Sequence, residues 1–149
     1  MSITLSNPQP STSVGLGPFR TLHVNIKDGD FGGRVQFEFP IHTAPEGTTK
    51  TIKVVRSGGV GTVMTVHWTR IGGTATPGTD FQPSSGTLTF GPSDPFKTFT
   101  LTIASDAAAE GAETIRLGLG IPPDGAASLG ANATTLITIP GTPPSSAMR

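Results

Sequence analysis

Segment after segment of the chain alternates apolar and polar residues, and this period of two limits the fold more than any other feature. Successive side chains of a strand point to opposite faces, so alternation marks a strand with one face buried. In "TVMTVHWT", Met64, Val66 and Trp68 share a face, with Thr65, His67 and Thr69 opposite. "KTFTLTIAS" sets Phe99, Leu101 and Ile103 against Thr98, Thr100 and Thr102. The same reading places Leu22, Val24 and Ile26 on one strand, and Val35, Phe37, Phe39 and Ile41 on the next. It continues through Ile52 and Val54, Leu88 and Phe90, Ile115, Leu117 and Leu119, and Ile137 and Ile139. About eight half-buried strands separated by turn residues predict an all-β sandwich. Threonine fills the outward positions, where a β-branched polar side chain suits the pleat.

The turns have local causes. "DGDFGG" (28–33) and "RSGGVG" (56–61) place glycine where the backbone must take positive φ. Pro77 followed by Gly78 suits the two central positions of a turn. Only "SDAAAEGAE" (105–113) has helical character, and Gly111 limits it to about one turn. Residues 1–33 are read as a Pro/Gly/Ser/Thr-rich arm with an extra strand, the two forming a hairpin from strands near 20–27 and 34–41. Residues 34–140 are read as the sandwich, and 141–149 as a tail.

With 10 basic and 10 acidic residues the net charge is zero, which argues against a nucleic-acid partner. No cysteine is present, so disulfides and thiolate metal sites are excluded. The N-terminus lacks the charged and apolar regions of a secretory signal, and no apolar run approaches the ~18 residues of a membrane span. The expectation is a stand-alone chain made in the cytoplasm, with no membrane partner.

Nucleophilic catalysis needs a Ser, Thr or Cys activated by a base that a third group orients. His23, His42 and His67 stand in no such motif, and each is read as a solvated surface residue. The chain is read as a non-enzyme with no catalytic residue. The few acids are better placed. Glu46 ends "TAPEG", Asp80 lies in "PGTDF", and Asp106, Glu110 and Glu113 cluster in "SDAAAEGAE". Loop carboxylates of this kind suit a hard cation such as calcium. The alternative is plain solvated acids, with Asp80 hydrogen-bonding its own turn.

Three signatures occur in order: "APEGTTKTIKVVRSGG", then "GGTATPGTDFQPSSGTLTF", then "SDAAAEGAETIRLGL". Their order resembles the Calx-beta domain, a module of sodium–calcium exchangers and surface proteins. The resemblance covers about residues 34–140 and implies an immunoglobulin-like Greek-key sandwich of about seven or eight strands. It also implies calcium ligands at Glu46, Asp106, Glu110 and Glu113, with a loop carbonyl near Ala108. The chain departs from that pattern at Gly72, Ser105 and Ala112, where family members carry acids, and "PGTPP" replaces a final acidic run. Affinity follows ligand charge and number, so the resemblance implies a calcium site that is weakened or lost. No other cofactor is expected.

A low-charge sandwich with polar arms leads to the expectation of a phage capsid decoration protein on the virion surface. It would be a homo-oligomer whose arm, notably Pro18, Phe19 and Arg20, grips coat subunits. The alternative is a calcium-dependent adhesion or carbohydrate-binding module of a tail fibre or cell surface. Trp68 and the phenylalanines are assigned to the core rather than to ligand binding. Deleting residues 1–19 should leave the sandwich's melting curve unchanged and release the protein from any particle it decorates; decoration by the truncated chain would refute the role of the arm.

Overall fold

Where apolar side chains alternate along a strand, two such strands can share a dry interior only by facing each other. The computed structural model describes residues 2–4, 21–23, 32–58, 61–105, 110–121 and 127–142, and the architecture follows that rule. The strands are β1 (Ser2–Thr4), β2 (Thr21–His23), β3 (Arg34–Phe37), β4 (Ile41–Thr43), β5 (Thr49–Ser57) and β6 (Met64–Gly72). They continue as β7 (Phe81–Gln82), β8 (Ser85–Phe90), β9 (Phe96–Ile103), β10 (Glu113–Gly120), β11 (Ser128–Leu129) and β12 (Thr134–Ile139). One five-stranded sheet has the order β4-β12-β10-β6-β8, the other β11-β3-β5-β9-β7, and β1 pairs with β2 separately. Pairing is antiparallel except for β4 on β12 and β11 on β3. The fold is an all-β sandwich of immunoglobulin type, and the described residues contain no helix. Of the helical segment proposed at 105–113, residues 106–109 lie outside the described residues.

The interior is the alternating set. Val35, Phe37, Ile52, Val54, Val66, Phe90, Leu101, Ile115, Leu117 and Ile137 are fully buried. Each large side chain removed from water contributes about 1.5–3 kcal/mol. Trp68 of one sheet stacks on Phe99 of the other, with centroids 3.9 Å apart and planes 11° from parallel. The indole lies against β8, and a Cβ at Gly86 would sit 2.7 Å from its Nε1. Only glycine fits there, which gives the glycine of "GTLTF" a packing role.

Consecutive strands from β3 to β12 alternate between the two sheets, and two of these changes occur at prolines. Read from sequence, residues 34–41 form one strand hairpinned with residues 20–27. The structure corrects both points. β3 ends at Phe37, the backbone bends over Glu38–Pro40, and β4 joins the opposite sheet. β3 pairs with β5 and β11, whereas β2 pairs with β1. Pro40 has no N–H to donate to a ladder, so a central strand cannot run through it. Its carbonyl accepts from Leu136 N at 2.9 Å, and Thr135 Oγ1 donates to Phe39 O at 3.0 Å. Past the bend the facing is reversed: Phe39 and Ile41 are 55% and 65% exposed. His42 turns inward beside Ile137 instead of standing in solvent. Its Nε2 is buried with no hydrogen-bond partner among the described residues. Burial lowers its pKa below the ordinary 6.5, and the Lys50 charge lowers it further against an opposing pull from Glu38. Another change of sheet, from β7 to β8, also passes through a proline, Pro83.

Arg56 closes one end of the sandwich. It is 5% exposed. Its Nε donates to Gly32 O at 2.9 Å, and its Nη1 donates to Thr62 O at 3.1 Å and Gly91 O at 3.0 Å. Three connections are thereby held on one guanidinium. Arg56→Leu should cost on the order of 3 kcal/mol in chemical denaturation, because the carbonyls lose a charged donor inside the fold; Lys53→Ala, which removes a half-exposed bridge to Glu38 and an exposed cation–π contact with Phe96, should cost less than that, about 1 kcal/mol.

Candidate acidic end of the sandwich

Strand direction sorts the loops. β5 begins after Glu46 and runs to Arg56, so Glu46 and Arg56 lie at opposite ends of a nine-residue strand. β6 ends at Gly72, β9 at Ile103 and β12 at Ile139, while β10 begins at Glu113. The antiparallel registers bring all four of these strand ends to the Glu46 side. A shallow pocket there is lined by Glu46, Asp80, Glu110 and Glu113, with Ile103, Ala104 and Ile139 among its walls.

Each acid is placed by its own local structure. Gly47 adopts φ 70° and its N–H donates to Ala104 O at 3.2 Å, which seats Glu46 beside the end of β9. Gly78 adopts φ 86° in the Thr76–Thr79 turn, the conformation that the Pro-Gly pair favours. Asp80 Oδ2 accepts from Thr76 N at 2.5 Å. The Asp80 backbone N–H donates to Thr76 O at 2.9 Å, and its carbonyl accepts from Ala104 N at 2.8 Å. Thr74 ties the same loop to β10: its Oγ1 accepts from Thr114 N at 2.9 Å. Glu113 is the first residue of β10, and Glu110 N donates to Thr142 Oγ1 at 3.5 Å.

Of the expected ligands, Glu46, Glu110 and Glu113 come together in this pocket, while Asp106 lies outside the described residues. Ala108 and the arm residues Pro18, Phe19 and Arg20 also lie outside them. Asp80 adds a member that sequence reasoning assigned only to its turn. It does hold the turn, and it also lines the same pocket as Glu113. Among the described residues no three acidic or histidine side chains already close round a single point as a finished metal cage. The bridges Lys53–Glu38 and Lys97–Asp94 involve none of the four acids.

Burial and like charge act together at this end. The Glu113 carboxyl is raised above its ordinary 4.5, first by partial burial, then by Asp80 through charge and hydrogen bond, then by Glu110 and Glu46. The folded protein therefore keeps this proton at a pH where the unfolded chain has released it. Stability contributed here falls as pH rises from about the ordinary glutamate value through the raised one. With calcium chelated, Glu113→Gln should raise the melting temperature at neutral pH and flatten its decline as pH rises above the ordinary glutamate value; a variant as steep as the parent would show that Glu113 is not the group under strain.

Elsewhere the described histidines do not assemble a catalytic pair. His67 Nδ1 lies 3.0 Å from Thr87 Oγ1 on the outer face of its sheet, and His42 meets Phe39 edge to face at 6.1 Å.

The profile of the Calx-beta domain family matches residues 28–141. The adhesion G-protein coupled receptor V1 of Danio rerio is 36% identical over 92 residues, 62% of this chain but 2% of the receptor. The chain therefore spans only a small part of that relative's length. Among solved structures, the apo form of the Calx CBD1 domain superposes with a TM-score of 0.67 at 29% identity, covering 72% of this chain and 95% of that one. The calcium binding domain CBD12 of CALX1.1 gives a TM-score of 0.66 at 29% identity, covering 72% of this chain and 44% of that one. With the family profile spanning most of its length and every described strand from β3 to β12 inside that span, the chain belongs to the Calx-beta domain family.

Proposed function

We propose that this chain is a calcium-dependent adhesion module that works by binding rather than catalysis. The observation that carries the reading is the convergence of Glu46, Asp80, Glu110 and Glu113 at one end of the sandwich. Carboxylate oxygens in this number are the donor chemistry that calcium prefers. The residues present thus fit the ion that the family implies, with Glu46, Asp80, Glu110 and Glu113 as its holders.

A bound calcium ion would supply positive charge against these carboxylates. Glu46 brings the β4–β5 connection to that charge, Asp80 brings the Thr76–Thr79 turn, and Glu110 and Glu113 bring the start of β10. Three loops that repel one another would then share one centre, giving a stiff end face for a protein partner. Gly72, Ser105 and Ala112 contribute no carboxylate to this end. Affinity in the ~10⁻⁴–10⁻³ M range of extracellular modules follows from that charge count.

The relatives include an adhesion receptor and a calcium binding domain, which supports an extracellular or cell-surface setting. Neither is a virion protein, so the capsid decoration expected from the polar arm yields to the adhesion reading. The test is a melting curve with calcium, magnesium or chelator. At calcium about tenfold above its dissociation constant the stabilisation is roughly 1.4 kcal/mol, a rise of about 3–6 °C for a domain of this size. Magnesium should give a smaller rise, and the absence of any calcium-dependent shift up to about 10 mM, tenfold above the weak end of that range, would reject the proposal.

A further inference from the structure

A sheet ends in a strand whose outer backbone groups have no ladder to join, and folds protect such edges by shortness, charge or proline. The two five-stranded sheets end in β4, β8, β11 and β7. β4 has three residues, and β7 and β11 have two each. β8 has six, Ser85–Phe90, with no charged residue and no proline among them. It is the longest of these edges and the least protected. Its register shows which groups point outward. Directly opposed residues of an antiparallel pair alternate between those that exchange both bonds and those that exchange none. Arg70 N donates to Ser84 O at 2.8 Å, so Ser84 opens a series in which Gly86, Leu88 and Phe90 bond to β6. Ser85, Thr87 and Thr89 therefore turn their N–H and C=O groups away from β6, and β8 has no second neighbour among the described strands. Their side chains are exposed. Beside them on the outer face of β6 stand Thr65, His67 and Thr69, so no permanent charge borders the edge.

We propose that β8 is a self-association edge, pairing antiparallel with β8 of a second copy of this chain about a two-fold axis at Thr87. Ser85 then faces Thr89 of the copy, and Thr87 faces its own counterpart. These pairs exchange about six hydrogen bonds, and the two sandwiches share one continuous sheet. Neutral hydroxyl side chains meet across the join, where like charges would oppose pairing. The charge at the ends favours the same direction. β8 leaves the acidic end at Ser85 and finishes at Phe90, next to Gly91, whose carbonyl accepts from Arg56. Antiparallel pairing sets the acidic end of each copy beside the other copy's Arg56 end. Parallel pairing would bring the two acidic ends together. The proposal goes beyond the adhesion reading and does not depend on calcium.

Sedimentation of the whole chain with calcium chelated tests it. The mass should rise with concentration from one chain to two and stop there. Exchange of the Thr87 amide proton should slow as the dimer forms. Thr87→Lys and Thr87→Glu each set like charges against one another at the axis, and each should weaken association about fivefold. An equal mixture of the two variants should restore it, because opposite charges then face each other. A parent that stays single up to about 1 mM overturns the proposal. So does growth beyond two chains, or a dimer that both variants leave intact. A mixture that associates no better than its components overturns the pairing at Thr87. A single chain whose Thr87 amide is already protected shows the edge covered from within the chain, which also overturns it. If the charged variants do not fold, Thr87→Pro removes an outward N–H that β6 does not use, a position where edge strands tolerate proline. Loss of the dimer supports the proposal and an unchanged dimer overturns it. If no variant folds, the parent decides: a Thr87 amide whose exchange is the same at every concentration overturns the pairing.

Discussion

The structure depends on one contact between sheets, the stack of Trp68 on Phe99 over the bare backbone of Gly86. Face-to-face sheets sit about 10 Å apart, and side chains from both must fill that gap. An indole lying flat fills it only where the strand beneath carries no side chain. Gly86 provides that site, directly paired with Trp68 in the ladder. Around this stack the buried valines, isoleucines, leucines and phenylalanines complete a single interior. Such an interior has no room for chemistry, so charge is driven to the strand ends.

The changes of sheet decide which residues those ends carry. A strand that continued from β3 through Ile41 would have kept the chain in one sheet. Pro40 ends it, and β4 then runs parallel to β12 and delivers Ala44, Pro45 and Glu46 to the end where Ile139 finishes. Pro83 does the same after β7: Phe81 is anchored in one sheet against Ile103, while Ser85 starts pairing in the other. Asp80 therefore stands between the two sheets, within reach of groups from both. The acidic pocket is a product of these crossings.

Much of this was legible in the sequence. Period two identified Val66, Trp68, Leu101, Ile115 and Ile137 as inward because a strand's facing is a local property. It failed at Phe39 and Ile41, which extend the alternation of Val35 and Phe37 yet lie exposed. Alternation cannot say which sheet a residue joins, and the one local signal was Pro40. His42 was misjudged for the same reason, since a reversed facing turns an apparent surface residue inward. At the acidic end, the family pattern drew attention to Glu46, Glu110 and Glu113, which do share a pocket. Asp80 was read correctly as a turn residue, and that reading concealed its place in the pocket. A hydrogen bond to Thr76 is encoded within a few residues, whereas a shared pocket with Glu113 depends on the full sheet topology.

The two ends of the sandwich meet the same problem with opposite charges. Loops that converge there must satisfy backbone carbonyls and side chains away from the regular ladders. At one end a guanidinium from within the fold, Arg56, gathers the carbonyls of Gly32, Thr62 and Gly91. That cation is covalently part of the chain, so the closure is permanent. At the other end the chain supplies the anions: Glu46, Asp80, Glu110 and Glu113 converge. Under the proposed calcium reading, closure of that end would come from an ion outside the chain and would follow its concentration. The two ends, joined by strands about 30 Å long, differ in which side of an ion pair the chain supplies, and a contact that varies with calcium would use that difference.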